Sequence, residues 1–310
     1  MTETLAIALA ALAGVFFAIL GIAYRLGQSR KVPLVNVVLV SAALGALFFG
    51  LQSIPLLRLA PWRVYAWGVA AGFTQYWCIK GIAAALRRGQ LSPVWCAMNL
   101  AFVPAIIYAY FALGETLNFT QAAAIASAIA CVAVASAGPR GTRGPSVEPL
   151  SVRVDLQRPV RTPGGKFLYG AILLLILVSN SVTNMGLKAL SVPVAGGPTD
   201  MEHYRSVFLA CIYLSLMIAV AVEIIFTTRS LALGRWTLGL GAMAAGGSIA
   251  GLSLLAICAR WAAADVFPAV GVSSILVAAV VSVLAFRESP GWMWLATVAL
   301  GLLSVVLVFL

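Results

Sequence analysis

Apolar residues fill this chain in about ten unbroken stretches of roughly 19–24 residues, and polar residues gather between them. That is the length an α-helix needs to cross a hydrocarbon core. The stretches are Leu5–Tyr24, Leu34–Ile54, Trp62–Ala85, Pro93–Leu113, Phe119–Ala137, Phe167–Leu187, Ser206–Phe226, Trp236–Cys258, Val266–Phe286 and Trp292–Leu310. Pro33, Pro61, Pro139 and Pro290 punctuate gaps between them. The runs are continuous and lack the alternation of barrel strands. Every backbone N–H and C=O needs a partner inside lipid, so the pattern predicts an all-α membrane protein of ten transmembrane helices. The first stretch carries Glu3 where a leader would be basic, and no small-residue cleavage site follows, so it reads as a span and not as a signal peptide.

Composition agrees: 62% of residues are hydrophobic and 9% charged, too few charges to clothe a soluble domain of 310 residues. A net charge of +11 would suggest nucleic acid in a soluble protein, but the placement of the cations gives a better account. The odd-numbered connections hold 15 of the 20 Lys and Arg, and the even-numbered ones hold Arg58, Arg63, Lys188, Arg205 and Arg260. Cytoplasmic loops retain positive charge, so the odd connections should be cytoplasmic and both termini outside. The lipid bilayer, and not nucleic acid, is the expected partner surface.

The connection Pro139–Lys166 is rich in Pro, Gly and Arg and reads as a flexible, basic, cytoplasmic linker. It separates residues 1–138 from residues 167–310, each with five spans. The two parts are alike. Ser92–Phe119, ending in ALGETLNF, lies against Asp265–Trp292, ending in AFRESPGW, at a constant offset of 173 that pairs Glu115 with Glu288. GVAAG at Gly68–Gly72 resembles AMAAGG at Ala242–Gly247, and the first helix of each part ends in a cation, Arg25 or Lys188. Five spans per part turn equivalent helices in opposite directions, the arrangement of inverted-repeat secondary transporters.

Tyr76–Leu117, YWCIKGIAAALRRGQLSPVWCAMNLAFVPAIIYAYFALGETL, resembles the third and fourth helices of an EamA-type repeat. That is the ten-helix branch of the drug/metabolite transporter superfamily. An aromatic and small-residue helix, a short basic turn and a helix ending in Gly-Glu carry the likeness, and Arg287-Glu288 marks a degraded copy in the second part. The resemblance covers nearly the whole chain in architecture. It implies a transporter fold with a central cavity and leaves the cargo open; the expected setting is a bacterial inner (plasma) membrane.

Small residues four apart suit close helix packing in lipid: Gly68 and Gly72, Gly246 and Ala250, Gly247 and Gly251, and Ala10, Gly14 and Ala18. The five cysteines, Cys78, Cys96, Cys131, Cys211 and Cys258, all fall inside predicted helices without a metal-type pair, and read as small packing residues. His203 is the one histidine and has no second ligand near it, so no metal and no cofactor is expected.

Polar groups inside spans are better candidates, because polarity there is expensive. Asn180, Asn184 and Lys188 recur at i, i+4 and i+8 on one face of the sixth span. Tyr76 and Lys80 share a face of the third, with Gln75 beside them, and Asn99 lies in the fourth. The candidate substrate-binding residues are therefore Tyr76, Asn99, Asn180 and Asn184, with Gln75 and Lys80 behind them. The competing reading has Lys80 reaching to the interface and the asparagines bonding between helices. Ser273 and Ser274 read as packing residues or as bonds to their own helix. Glu115 and Glu288 sit at helix ends and read as fixing turns.

The nine acidic residues are Glu3, Glu115, Glu148, Asp155, Asp200, Glu202, Glu223, Asp265 and Glu288, and none falls in the middle of a span. A proton-coupled exporter of cationic drugs commonly uses a carboxylate there. The expectation is therefore a secondary transporter, exporter or exchanger, of neutral, zwitterionic or anionic small metabolites working by alternating access. The proton-coupled multidrug exporter is the alternative. A membrane enzyme would need a nucleophile, metal cluster or paired carboxylates, and the motifs for these are missing from the sequence. A non-transporting receptor would normally bring a soluble module.

Overall fold

Long apolar runs with few helix breakers fold into ten α-helices in the computed structural model, which describes residues 2–88, 97–136, 163–191, 201–228, 231–286 and 292–308. We label them α1 (Glu3–Ser29), α2 (Leu34–Ser53), α3 (Trp62–Arg88), α4 (Phe102–Leu113), α5 (Phe119–Ser136), α6 (Pro163–Ser191), α7 (Arg205–Glu223), α8 (Arg235–Cys258), α9 (Ala263–Phe286) and α10 (Trp292–Val308). A single-turn π segment, Ile224–Thr228, extends α7. Among the described residues, five segments are long and apolar enough to cross a membrane: Glu3–Gly27, Leu34–Leu56, Leu168–Ser191, Arg205–Thr227 and Arg235–Cys258. Ala97–Leu113, Phe119–Cys131 and Ala263–Val277 are shorter, largely helical apolar stretches. The chain is thus an all-α, multi-pass membrane protein. Large apolar side chains point outward, with Trp62, Phe119, Trp236 and Trp292 exposed at helix starts, where aromatic rings favour the water–lipid boundary.

Local chemistry sets the helix ends. Gly114 closes α4 in the left-handed conformation at φ 69°, which costs glycine nothing. Asn118 and Gln121 form a reciprocal capping box at α5: the Gln121 N–H donates to Asn118 Oδ1 at 2.7 Å, and the Asn118 N–H to Gln121 Oε1 at 3.0 Å. Pro163, preset for a first helical turn, opens α6 four residues before Phe167, so the helix takes up the end of the stretch read as linker. The rest of that linker, Cys96, and the Arg287–Glu288 pair lie outside the described residues.

Packing runs chiefly between the first five helices and the last five. The extensive contacts are α1 with α8 and α9, α2 with α7 and α8, α3 with α6 and α7, α4 with α6, and α5 with α10; α9 with α10 is the main pairing inside either set. Small residues permit the closest approaches. A Cβ on Gly72 would lie 2.5 Å from the Ile212 carbonyl, and one on Gly68 would lie 2.5 Å from Cys211 Cβ, so α3 presses directly on α7. Gly247 and Gly251 do the same against Phe16 and Phe17 of α1. Gly246, expected to pack with Ala250, instead faces open space: one residue along a helix turns the face by about 100°. The α5–α10 pair is sewn by Ser127 Oγ donating to the Leu300 carbonyl at 2.9 Å and Ser304 Oγ to the Ala124 carbonyl at 2.8 Å. Cys78, Cys131 and Cys258 are buried as packing residues, and Cys211 is half-buried.

Candidate functional site

The helices enclose a cavity of about 150 Å³ walled by eight of the ten; α5 and α10 alone stand apart. Its apolar wall includes Phe17, Phe102 and Phe267. Its polar wall includes Ser41, Gln75, Asn99, Asn180, Thr183, Asn184, Tyr213, Ser248 and Ser274. Among the described residues no charged side chain lines it.

Four of the six residues expected from sequence meet here: Gln75, Asn99, Asn180 and Asn184. Tyr76 and Lys80 are not among the lining residues. They share a helix face, as expected, but that face lies about 100° around α3 from the one bearing Gln75 and Ile79. Tyr76 packs against the buried cluster that includes Val38, Leu216 and Val220, and meets Trp77 edge-on at 5.5 Å. Lys80 pairs with Glu223 at the end of α7.

A break in the fourth span shapes one wall. Residues 97–99 form a helical turn, Leu100 and Ala101 leave the helix, and α4 begins at Phe102. Pro104 accounts for this, since it lacks the N–H that would bond the Leu100 carbonyl and its ring crowds that carbonyl. The Val103 N–H donates there instead, at 3.0 Å. The Met98 carbonyl accepts from Asn180 Nδ2 at 3.0 Å, so α6 supplies a donor at the break. Asn180 therefore spends one donor on structure and keeps its carbonyl oxygen.

Sequence reasoning missed several polar lining groups. Tyr213 is buried, stacks on Phe49 at 5.6 Å and shares a 2.5 Å hydrogen bond with Ser248, joining α7 to α8. Thr183 lies beside Asn184 and one turn from Asn180, and that adjacency was its available signal. Its hydroxyl is buried without a hydrogen-bond partner, whereas Ser41, Ser181 and Ser273 donate to carbonyls three or four residues back.

A second polar centre lies about one helical turn beyond one end of the cavity. Lys188 is one turn beyond Asn184 on α6, fully buried, and paired with Glu115. Its ammonium also donates to the carbonyls of Ala259 at 3.1 Å and Trp261 at 2.5 Å. Glu115 accepts the Ala263 N–H at 2.9 Å, so it reaches across to α9 and does more than fix the turn after α4. Gln121 Nε2 donates to Asp265 at 2.8 Å beside this group. Asn184, Leu255 and Phe267 line the cavity, and Lys188, Ala259 and Ala263 stand about one helical turn beyond them.

No protein-family model matches the sequence, and no curated protein matches it either. The fold has counterparts among solved structures. A chain described only as "Crystal structure of protein" superposes with TM-score 0.67 over 97% of this chain and 98% of that one, at 18% identity. At that identity the likeness establishes a shared fold.

Proposed function

We propose that this protein is a secondary transporter of small metabolites with the architecture of the EamA-type drug/metabolite transporters. On this reading residues 1–138 and 167–310 are five-helix repeats inserted in opposite orientations, with both termini outside. The helix pairings support it. Exchanging α1–α5 for α6–α10 in order turns α1–α8 into α6–α3, α1–α9 into α6–α4, and α3–α7 into α8–α2, while α2–α7 and α5–α10 map onto themselves. A pseudo-two-fold axis in the membrane plane produces such a set of contacts. The 15 to 5 division of cations supports the orientation.

The observation that carries the function is the cavity. It lies between the two sets of helices, is walled by both, and has a Lys–Glu pair toward each end. Cargo bound there is exposed to one side of the membrane at a time as the sets rock against each other. Neutral, zwitterionic or anionic cargo remains the expectation. No carboxylate lines the cavity among the described residues, which weighs against the proton-coupled exporter of cationic drugs.

Proteoliposomes screened for uptake of labelled metabolites test this. Asn184→Ala should lower the apparent affinity for a transported solute by about 2- to 13-fold, the loss of one net hydrogen bond, without reducing membrane insertion. Unchanged concentration dependence in Asn184→Ala, Asn99→Ala and Gln75→Ala proteins would place the site elsewhere.

A further inference from the structure

We propose that the cavity selects small uncharged solutes carrying a carboxamide-like edge, and that the free side-chain amides of Gln75 and Asn184 read that edge. The inference rests on the transporter reading and narrows it from neutral, zwitterionic or anionic cargo to uncharged cargo alone.

Three observations carry it. Gln75 and Asn184 line the cavity and make no hydrogen bond to a described residue, although each offers two N–H donors and a carbonyl acceptor. Asn180, one turn from Asn184, has committed a donor to Met98 and has its acceptor left over. The unmatched groups of the wall are thus neutral donors and acceptors, and the complement of a primary amide is another amide or a lactam edge.

The two lysines next to the cavity-lining positions of α3 and α6 are also already used. Lys188 is held by Glu115 and two carbonyls, and Lys80 is held by Glu223. Among the described residues the wall therefore presents no unpaired charge to a ligand. An ion entering it would shed hydration and find nothing of opposite sign in return. Finally, the volume is about 150 Å³, and a cavity near that size holds a single six-membered ring. Phe17, Phe102 and Phe267 give such a ring apolar walls.

Benzamide, benzoate and benzamidinium make a direct test, being nearly one shape with charges of zero, minus one and plus one. Calorimetric titration of the full-length protein in detergent should show saturable binding of benzamide, at least about tenfold tighter than either ion. Asn184→Leu and Gln75→Leu should each weaken benzamide by about 2- to 13-fold, the loss of one hydrogen bond from an unburied polar group. Asn184→Asp should move the preference toward benzamidinium, which guards against reading a merely unstable leucine variant as support. Benzoate or benzamidinium binding as tightly as benzamide, benzamide failing to bind at millimolar concentration, or benzamide binding indifferent to all three substitutions would each overturn the proposal. Labelled flux in proteoliposomes separates the two readings. Benzamide binding without flux leaves recognition standing and removes transport. Flux of the ions at the rate of benzamide leaves transport standing and removes the selectivity.

Discussion

The two Lys–Glu pairs flanking the cavity share one chemistry and differ in everything around it. Lys188 is 1% exposed and Glu115 22%; Lys80 is 36% exposed and Glu223 8%. Lys188 has further acceptors in carbonyls just past the C-terminus of α8, where the helix leaves acceptors unsatisfied and a partial negative charge. Glu115 takes the first N–H of α9, where the partial charge is positive. Each charge thus completes a helix end as well as its partner, and the turn between α8 and α9 is clamped from α4 and α6. Lys80 is more exposed, and no backbone carbonyl or helix-end N–H is seen completing the Lys80–Glu223 pair among the described residues. A buried ion pair holds when its remaining donors and acceptors are satisfied, and the first pair meets that condition while the second need not.

The largest expected effect comes from breaking the clamp on one side. Lys188→Met should destabilise the folded protein by about 3–5 kcal/mol, leaving the Glu115 charge and two helix-end carbonyls without their donor. Thermal unfolding in detergent checks this; a melting temperature equal to that of the unmodified protein would show that the cradle contributes nothing. Double-mutant cycles sharpen the contrast. Lys188→Met with Glu115→Leu should show coupling well above that of Lys80→Met with Glu223→Leu, whose lysine is partly exposed. Equal coupling in the two cycles would erase the distinction drawn here. The smallest effect is one of screening. Raising salt from about 0.05 to 0.5 M shortens the Debye length to a few ångströms and should weaken the half-exposed pair first. Stability should then shift slightly with salt in the unmodified protein and lose that dependence in Lys80→Met, but keep it in Lys188→Met.

Much of this was legible in the chain. Continuous apolar runs announce the helices, because lipid leaves the backbone only helices and closed barrels and the runs lack barrel alternation. Gln75, Asn99, Asn180 and Asn184 stood out for being polar where polarity is costly, and they meet at one cavity. Tyr76 and Lys80 stood out for the same reason and face elsewhere, since composition marks depth and not the direction in which a helix is turned. The Lys188–Glu115 pair joins residues 73 positions apart through the packing of α4, α6, α8 and α9. Nothing local encodes that meeting, and the glutamate looked like an ordinary helix-end residue. Tyr213 was overlooked because its ring reads as core, while its hydroxyl is the part that reaches Ser248.

The way the helices pair also governs how the protein can be made. α1, α2, α3 and α5 find their extensive partners in α6 to α10, which the ribosome delivers later. The first five helices must therefore wait in the bilayer with Gly68 and Gly72 against lipid chains, held by insertion and not by packing. The packing between the two sets is complete only once both have been inserted. The protein should accordingly tolerate being synthesised as two separate polypeptides cut between residues 138 and 163, while neither fragment alone should resist proteolysis.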